Sequence, residues 1–562
     1  MAGPPWRAFT LASFISTYLI VARQESWTIP KSLGIFIGLC LLQGLAYAVW
    51  IIFLYPKFFS PLRGLPEPKG GSMFMGHFKK IRDLPTGYPM REWVRTVPND
   101  GVIRYLGAFN GERLFVTGAK ALAEVLVHRN YDFEKPPEIK AFLGRILGVG
   151  VLIAEGDQHK AQRRMLLPAF AFRHVKDLYP VFWRVGKTAV QAMSESILAD
   201  AAKDNTVQDA EKALINRKDT AVIEIGNWAS RATLDIIGIA GMGRNFNAIK
   251  DPYNEINETY RAVFQPSRQA QLLGLLGLFL PNWVITNLPV KRNSAISEAS
   301  KVIKTVCRDL IVEKKEKLAR KELTDVDILS VAIESGGFTD EDLVNQMMTF
   351  LAAGHETTAS AMTWAVYMLS KHPNVQKRLR QEIRENLPSP DSSEDVTSLQ
   401  VDHLPYLNAV CNEVLRYYSP VPVTIRETVV DTSILGHPVP KGTRIILAPT
   451  ATNFDKESWG PDAADFNPDR WIPKDESDKS AASGGASSNY AFMTFLHGPR
   501  SCIGQAFAKA EFACLLASWM GRFEFELYNK EEEDETKIEI KGGVTARPAK
   551  GLHVYATVVD GW

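Results

Sequence analysis

The sequence predicts a mainly α-helical domain with smaller β-sheets, preceded by an N-terminal transmembrane anchor. Three observations predict this. Residues 32–55 carry no charge over a stretch long enough to cross a bilayer, where about 20 residues suffice. Residues 339–371 read as one helix of roughly 50 Å at 1.5 Å per residue, enough to traverse a whole domain. Short apolar runs punctuated by Gly and Asn within residues 100–126 (VIRYLG, RLFVTG) have the length and composition of strands instead.

Composition supports a large folded core: of 562 residues, 46% are hydrophobic and 23% charged. A net charge of +2 points to no polyanionic partner. The five cysteines (Cys40, Cys307, Cys411, Cys502, Cys514) form no CxxC pair and no even framework, which argues for a reducing compartment and against structural zinc. No HExxH motif occurs.

In the apolar stretch of residues 32–55, Tyr47, Trp50 and Tyr55 fall where interfacial aromatics belong, and Lys57 closes the run. Residues 9–22 form a second apolar segment, for which a short span, a re-entrant piece and an interfacial helix all remain open. No small-residue cleavage site precedes Arg23, so residues 1–55 are expected to be a retained anchor rather than a signal peptide. Arg7, Arg23 and Lys31 precede the long span, while Lys57, Arg63, Lys69, Lys79 and Lys80 follow it. That balance favours a cytoplasmic catalytic region. Four prolines in residues 55–71 are expected to exclude helix, making residues 56–71 an extended hinge before a domain of residues 72–562.

The body is read as mostly helical. In EGDQHKAQRRMLLPAF, His159 and Arg163 lie one helical turn apart, so both can reach one anionic object. The charge-dense residues 200–219 and 312–322 are read as solvated helix faces or loops. Asn257, Glu258 and Thr259 match a glycosylation acceptor that a cytosolic domain would not use. The long helix opens with Thr339 and Asp342 as a capping box and stops at His372 and Pro373. In its middle lies AAGHETT, where Ala353 and Gly354 lack bulk and Glu356 beside Thr357 sets an acid next to an alcohol in apolar surroundings. A helical Gly costs about 1 kcal/mol relative to Ala, so something should press on the helix at Gly354.

Residues 404–418 form a further helix with Glu413 and Arg416 at i, i+3. Residues 419–428 (SPVPVTIRET) leave it as extended chain, FNPDRW contributes Arg470, and residues 475–489 (including KSAASGGASS) read as a mobile surface loop. In FLHGPRSCIG, Gly498 and Gly504 clear the backbone around Cys502 and leave its N–H groups able to donate to the sulfur. Arg500 and the N-terminus of the following helix, residues 503–520 with Gly521 as its stop, favour a thiolate there.

These motifs resemble those of the cytochrome P450 family. The cysteine loop matches its haem-thiolate signature at Phe495, Gly498, Arg500, Cys502 and Gly504, and the order HKAQR, AGHET, ExxR, PDRW, cysteine loop is the family's own. The sequence looks like a fungal microsomal member. The resemblance implies a cytochrome P450 fold and haem b with Cys502 as axial ligand. It also implies His159, Arg163 and Arg426 at the propionates, with His159 where many members have Trp. Ala353 and Gly354 would make room over the iron, and Glu356 and Thr357 would handle protons. Glu413, Arg416 and Arg470 would form a buried ion network, and Phe350, Val421, Val423, Thr424 and Val544 would line the substrate pocket.

The implied activity is monooxygenation of a lipophilic small molecule, in fungal secondary-metabolite biosynthesis. Electrons would come from NADPH through NADPH–cytochrome P450 reductase, with cytochrome b5 as a further donor. Lys160, Arg164 and Lys509 are the cations offered to such a partner, and the endoplasmic reticulum membrane is the expected location. The alternatives are a haem-thiolate isomerase or dehydratase needing no reductase, and a non-catalytic haem-binding membrane protein. Glu356 and Thr357 argue against both.

Overall fold

The structure is a computed structural model that describes residues 6–23, 28–204, 219–264, 268–277, 280–322, 327–475, 477–541 and 543–562. The chain divides into two compact units, one of Met1–Leu84, Glu92–Glu134 and Thr424–Ala448, the other of Pro85–Arg91, Lys135–Val423 and Pro449–Trp562.

In the first unit, helix α1 (Trp6–Val21) packs against helix α2 (Ile29–Val49), which has Pro30 in its opening turn and continues as a π-helical turn over Trp50–Phe59. Ile29–Phe59 is, among the described residues, the one helix long and apolar enough to cross a membrane. Its last turn corrects the expected hinge, because the helix runs through Pro56 and leaves at Ser60. Proline removes a donor and crowds the carbonyl four residues earlier. Here that carbonyl, on Ile52, accepts from Asn110 Nδ2 at 2.8 Å, and Arg104 Nη2 donates to Pro56 O at 2.7 Å. Side chains some fifty residues away in sequence thus supply the hydrogen bonds that the helix lacks.

Asn110 lies in the turn between strands β1 (Val102–Leu106) and β2 (Glu112–Val116). With β3 (Phe133–Glu134), β4 (Thr424–Thr428) and β5 (Arg444–Leu447) they form a five-stranded sheet in the order β1-β2-β5-β4-β3. Only the β2–β5 pair is parallel. The short apolar runs of residues 100–126 and the extended segment after Pro422 are therefore strands, as read from their patterning.

The second unit is helical around α5 (Asp340–Lys371), against which α4 (Ile225–Ile236), α6 (Pro405–Tyr417) and α7 (Gln505–Arg522) pack. A shorter helix, α3 (Gly156–Leu166), carries the HKAQR residues. The start of α5 is the expected capping box, with Thr339 Oγ1 accepting from Asp342 N at 3.2 Å and Asp342 Oδ2 accepting from Thr339 N at 3.2 Å. A small antiparallel sheet places His553–Val558 between Thr220–Glu224 and Phe523–Leu527.

Three expectations are corrected in this unit. Gly521 does not stop α7, which continues to Arg522; a Cβ there would lie 2.2 Å from the Trp562 ring, so the glycine admits the C-terminal tryptophan. Lys314, within the charge-dense residues 312–322, is buried and ion-paired with Asp327, with Ser330 Oγ accepting a second bond at 3.1 Å. It follows Ile303, Cys307, Leu310 and Ile311 on the buried stripe of its helix, which is why a lysine goes inward. The low-complexity loop folds onto the protein: Ala481 is buried, and a Cβ on Gly484 (φ +64°) would sit 2.9 Å from the Trp471 ring. Of residues 200–219, those from 205 to 218 lie outside the described residues.

Candidate haem-thiolate site

Cys502 differs from the other four cysteines in presenting an exposed side chain: Cys307, Cys411 and Cys514 are buried and Cys40 is half-buried. The loop before it folds back on itself. Leu496 N donates to Met493 O at 3.0 Å, Cys502 N to Phe495 O at 2.8 Å and Ser501 N to Gly498 O at 3.0 Å. Two residues in the left-handed region, Leu496 (φ 56°) and Gly498 (φ +74°), make the reversal possible. Cys502 stands two residues before Gly504, the N-cap of α7.

Although the Cys502 side chain is accessible, it sits among closely packed protein atoms, and that desolvation pushes its thiol up from the ordinary pKa, with the Gly504 N–H and the Arg163 guanidinium acting against it. The cation differs from the expected one. Arg500 is buried in an ion pair with Glu155, so its charge is balanced locally. Arg163, on α3, donates from Nη1 to Ser501 O at 2.7 Å and from Nη2 to Ser501 Oγ at 3.1 Å, which brings its charge to the cysteine. His159, one turn earlier on α3, is buried.

On α5, whose residues from Leu343 to Leu369 are mostly buried, Ala353 is exposed and Gly354 and Thr357 are half-buried. Thr357 Oγ1 donates to Ala353 O at 2.8 Å, which folds its hydroxyl back along the half-buried side of the helix. The small pair divides its work. Ala353 lies on the open side, whereas a Cβ on Gly354 would approach the Ile237 side chain to 2.9 Å, so the pressing element foreseen at Gly354 is Ile237. Glu356 is buried and fixed: Thr545 Oγ1 donates to its Oε1 at 3.2 Å and Arg547 Nη1 lies 3.1 Å from the same oxygen. Neither Thr545 nor Arg547 was marked by sequence reasoning, because nothing local distinguishes them in GGVTARPAKG.

Phe350 packs edge-on against Phe170, ring centroids 5.3 Å apart, and Phe170 also lies 3.6 Å from where a Gly504 Cβ would be. One aromatic side chain therefore bridges α5 and the start of α7. Below it, Thr358 Oγ1 donates to Glu511 Oε2 at 2.9 Å; burial lifts the Glu511 carboxyl well above the carboxylate range.

Glu413 and Arg416 on α6 are wholly buried. Arg416 donates from Nε to Glu413 Oε2 at 2.9 Å and from Nη2 to Oε1 at 2.8 Å, and Arg470 Nε reaches Oε1 at 3.1 Å. Asn467 N and Trp471 Nε1 complete the carboxylate's partners at 2.8 and 2.9 Å. The spacing of ExxR announced the pair, but not what connects it to the cysteine loop. That connection is Asn453: Nδ2 donates to Arg416 O (3.0 Å) and Thr494 Oγ1 (2.9 Å), while Oδ1 accepts from Met493 N (2.8 Å). A buried Asn in ATNFD carries no periodic signal that would single it out.

The remaining expected residues belong to both units. In the first unit, Arg426 is buried on β4 and donates to Thr424 Oγ1 (2.9 Å) and Ile425 O (3.0 Å). In the second, Val421 and Val423 are half-buried and Val544 is exposed. Lys160 and Arg164 are exposed, but Lys509 is corrected: its ammonium donates to Asn412 Oδ1 at 2.8 Å, and burial lowers its pKa. Its side chain is half-buried and tied down rather than exposed as Lys160 and Arg164 are.

Among the described residues no group of three His, Cys, Asp or Glu could hold a metal ion by itself. A metal at Cys502 therefore needs its other ligands from a cofactor, as a porphyrin supplies them, and a single accessible thiol beside an arginine and a backbone N–H fits that role.

The Cytochrome P450 family model matches residues 66–554. Cytochrome P450 monooxygenase ALT8 of Alternaria alternata is 45% identical over 92% of this chain and 93% of its own. Cytochrome P450 monooxygenase sphH of Aspergillus fumigatus is likewise 45% identical over 93% of each chain, and FUM15 of Gibberella moniliformis 43% over 97% of each. With its motifs matched over nearly the whole length, the chain belongs to the cytochrome P450 family and is a monooxygenase-type oxidoreductase that holds haem through a thiolate.

Proposed function

We propose that this enzyme inserts one oxygen atom of O2 into a lipophilic small molecule of fungal secondary metabolism. We place it on the endoplasmic reticulum with the catalytic domain toward the cytoplasm, residues 72–562 forming that domain. The observation that carries the reading is on α5: a half-buried threonine hydroxyl fixed by Ala353 O, adjacent in sequence to a buried carboxylate held by Arg547 and Thr545.

Cys502 is the residue that would hold haem through its thiolate, and the haem would supply reductive activation of O2. The chain's own residues do the rest. Arg163 and the Gly504 N–H offset the cost of negative charge at the sulfur. His159, Arg163 and Arg426 are the groups suited to the propionates. Thr357 Oγ1 holds a proton at the open face of α5, and Glu356 beside it is the acid that can resupply that proton. Phe350, Val421, Val423, Thr424 and Val544 are assigned to the substrate. NADPH–cytochrome P450 reductase is the proposed electron donor, with cytochrome b5 as a second; Arg164 and Lys160, the latter paired with Asp157, are exposed cations on α3 that we assign to this contact.

The test is reconstitution of the full chain with reductase, NADPH and 18O2, using the less oxygenated metabolite that accumulates when the gene is deleted. One labelled oxygen per product is expected. Product formed without NADPH or without label would replace this reading by the isomerase.

A further inference from the structure

Helix α1 is inverted relative to a helix lying on a membrane surface. Its covered face carries Phe9, Ser13, Ser16 and Thr17, with Ser13 and Thr17 buried, while Leu11, Phe14, Ile15, Tyr18, Leu19 and Ile20 are exposed, Tyr18 at 68% and Phe14 at 67%. An interfacial helix turns its polar face to water and its apolar face to lipid. In α1 the polar stripe is covered by α2, and the outward face is apolar. Water does not favour that arrangement; hydrocarbon does, where small and hydroxyl-bearing residues bring helices together.

The pair is antiparallel. Phe9 meets Tyr47, ring centroids 5.7 Å apart, and Ser13 Oγ lies 3.4 Å from Gln43 Oε1, so α1 ascends where α2 descends. Gln43 is the one strongly polar side chain within the apolar run of α2, and it is the one that Ser13 engages. The lone polar group that α2 would carry into hydrocarbon is thereby given a partner. The outward faces of both helices are apolar, with Leu33, Ile37, Leu41, Leu42 and Leu45 exposed on α2.

We infer that α1 and α2 both cross the membrane as a helical hairpin, so that the N-terminus lies on the same side of the bilayer as the catalytic domain. Its occupant is the acyl chains of that bilayer. At 16 residues α1 is about 24 Å long, shorter than the ~30 Å hydrocarbon core; such a mismatch costs only fractions of a kcal/mol per Å. Charge agrees. The hairpin sets Arg7, Lys57, Arg63, Lys69, Lys79 and Lys80 on one side and Arg23 and Lys31 on the other, six against two, whereas a single span would set five of these cations against three.

This deepens the proposed membrane anchoring and rests on it, but the two separate in one experiment. The full chain, tagged at both ends, is expressed in microsomes, washed with alkaline carbonate and treated with protease before and after detergent. Both tags are expected to be cleaved without detergent from protein that stays in the carbonate pellet. An N-terminal tag protected while the C-terminal tag is cleaved overturns the hairpin, as does release by carbonate. Both tags protected would keep the hairpin and overturn the cytoplasmic orientation. As an independent readout, an inserted segment bearing a glycosylation acceptor between Arg23 and Thr28 should gain an endoglycosidase-sensitive mass, and an unmodified insert of adequate length, with both tags cleaved, argues that neither helix crosses.

Discussion

Arg547 Nη1 lies 3.1 Å from Glu356 Oε1, which joins the C-terminal segment to the middle of α5. Glu356 is 8% exposed at its side chain and Arg547 34%, so the carboxylate is the buried partner and the arginine reaches it from a wetter position. His355 could have been a second cation, since its Nε2 is 3.9 Å from Glu356 Oε2, but burial lowers the pKa of His355 and keeps the ring neutral. Arg547 is therefore the charge that holds Glu356.

Arg547→Ala should leave the Glu356 carboxylate without a cation and loosen its position beside Thr357. Product per NADPH is expected to fall about tenfold, short of the ~10²–10⁴ that losing a proton-transfer group itself costs. The reduced CO spectrum should persist, and Arg547→Lys should recover most of the coupling. Unchanged coupling in the alanine variant would mean that the ion pair only secures the C-terminal segment.

The Glu413 network predicts a graded loss of cofactor. Glu413→Ala takes the carboxylate from the buried Arg416 and leaves Arg470 with Asp462 alone, at a cost of about 3–5 kcal/mol. Asn453→Ala instead leaves Met493 N and the Arg416 carbonyl short of a partner, for about 1–3 kcal/mol. Haem-to-protein ratio should drop severely in the first and moderately in the second. Equal loading of the Asn453 variant and the parent enzyme would show that the ion network and the cysteine loop are not coupled through it.

Glu511 predicts a pH dependence of stability. Burial raises its folded-state pKa well above the unfolded value of about 4.3, so the folded protein binds more protons than the unfolded chain. Stability from this group is complete below the unfolded pKa and is lost as pH rises towards the folded one, by up to about 1.4 kcal/mol per pH unit. Glu511→Gln keeps an acceptor for Thr358 and removes the titration. Its thermal midpoint should rise relative to the parent enzyme between pH 5 and 9; parallel profiles would mean that the carboxyl is already ionised in the folded state.

Legibility in the sequence followed locality. Thr339 with Asp342, and His372 with Pro373, fixed both ends of α5 because capping and stopping need only neighbouring residues. Glu413 and Arg416 met as their spacing required. What escaped depended on distant chain. Pro56 is tolerated in a helix because Asn110 and Arg104 serve the carbonyls around it, Gly521 is small because Trp562 arrives against it, and Lys314 turns inward to Asp327. At the site, Cys502 was evident from its own loop, whereas its cation is Arg163 from α3 rather than Arg500 two residues away.

Thr357 separates the monooxygenase from an isomerase. Its hydroxyl is on the open face of α5, bonded to Ala353 O at 2.8 Å, and the adjacent Glu356 is held by Arg547 and Thr545. A proton delivered during O2 reduction needs such a positioned donor, and an isomerisation that consumes no electrons does not. Thr357→Val keeps the volume and removes the hydroxyl, Thr357→Ala removes both, and Thr357→Ser keeps the hydroxyl alone. Haem content and substrate-induced spectral shifts should survive in all three, since no buried network depends on this side chain. In Val and Ala, NADPH consumption should continue while product per NADPH falls by at least about tenfold, with the electrons recovered as hydrogen peroxide; Ser should stay near the parent enzyme. If all three variants formed product at the parental rate, proton delivery by Thr357 would be wrong. If they also did so without NADPH, the electron-free isomerase would be the correct reading.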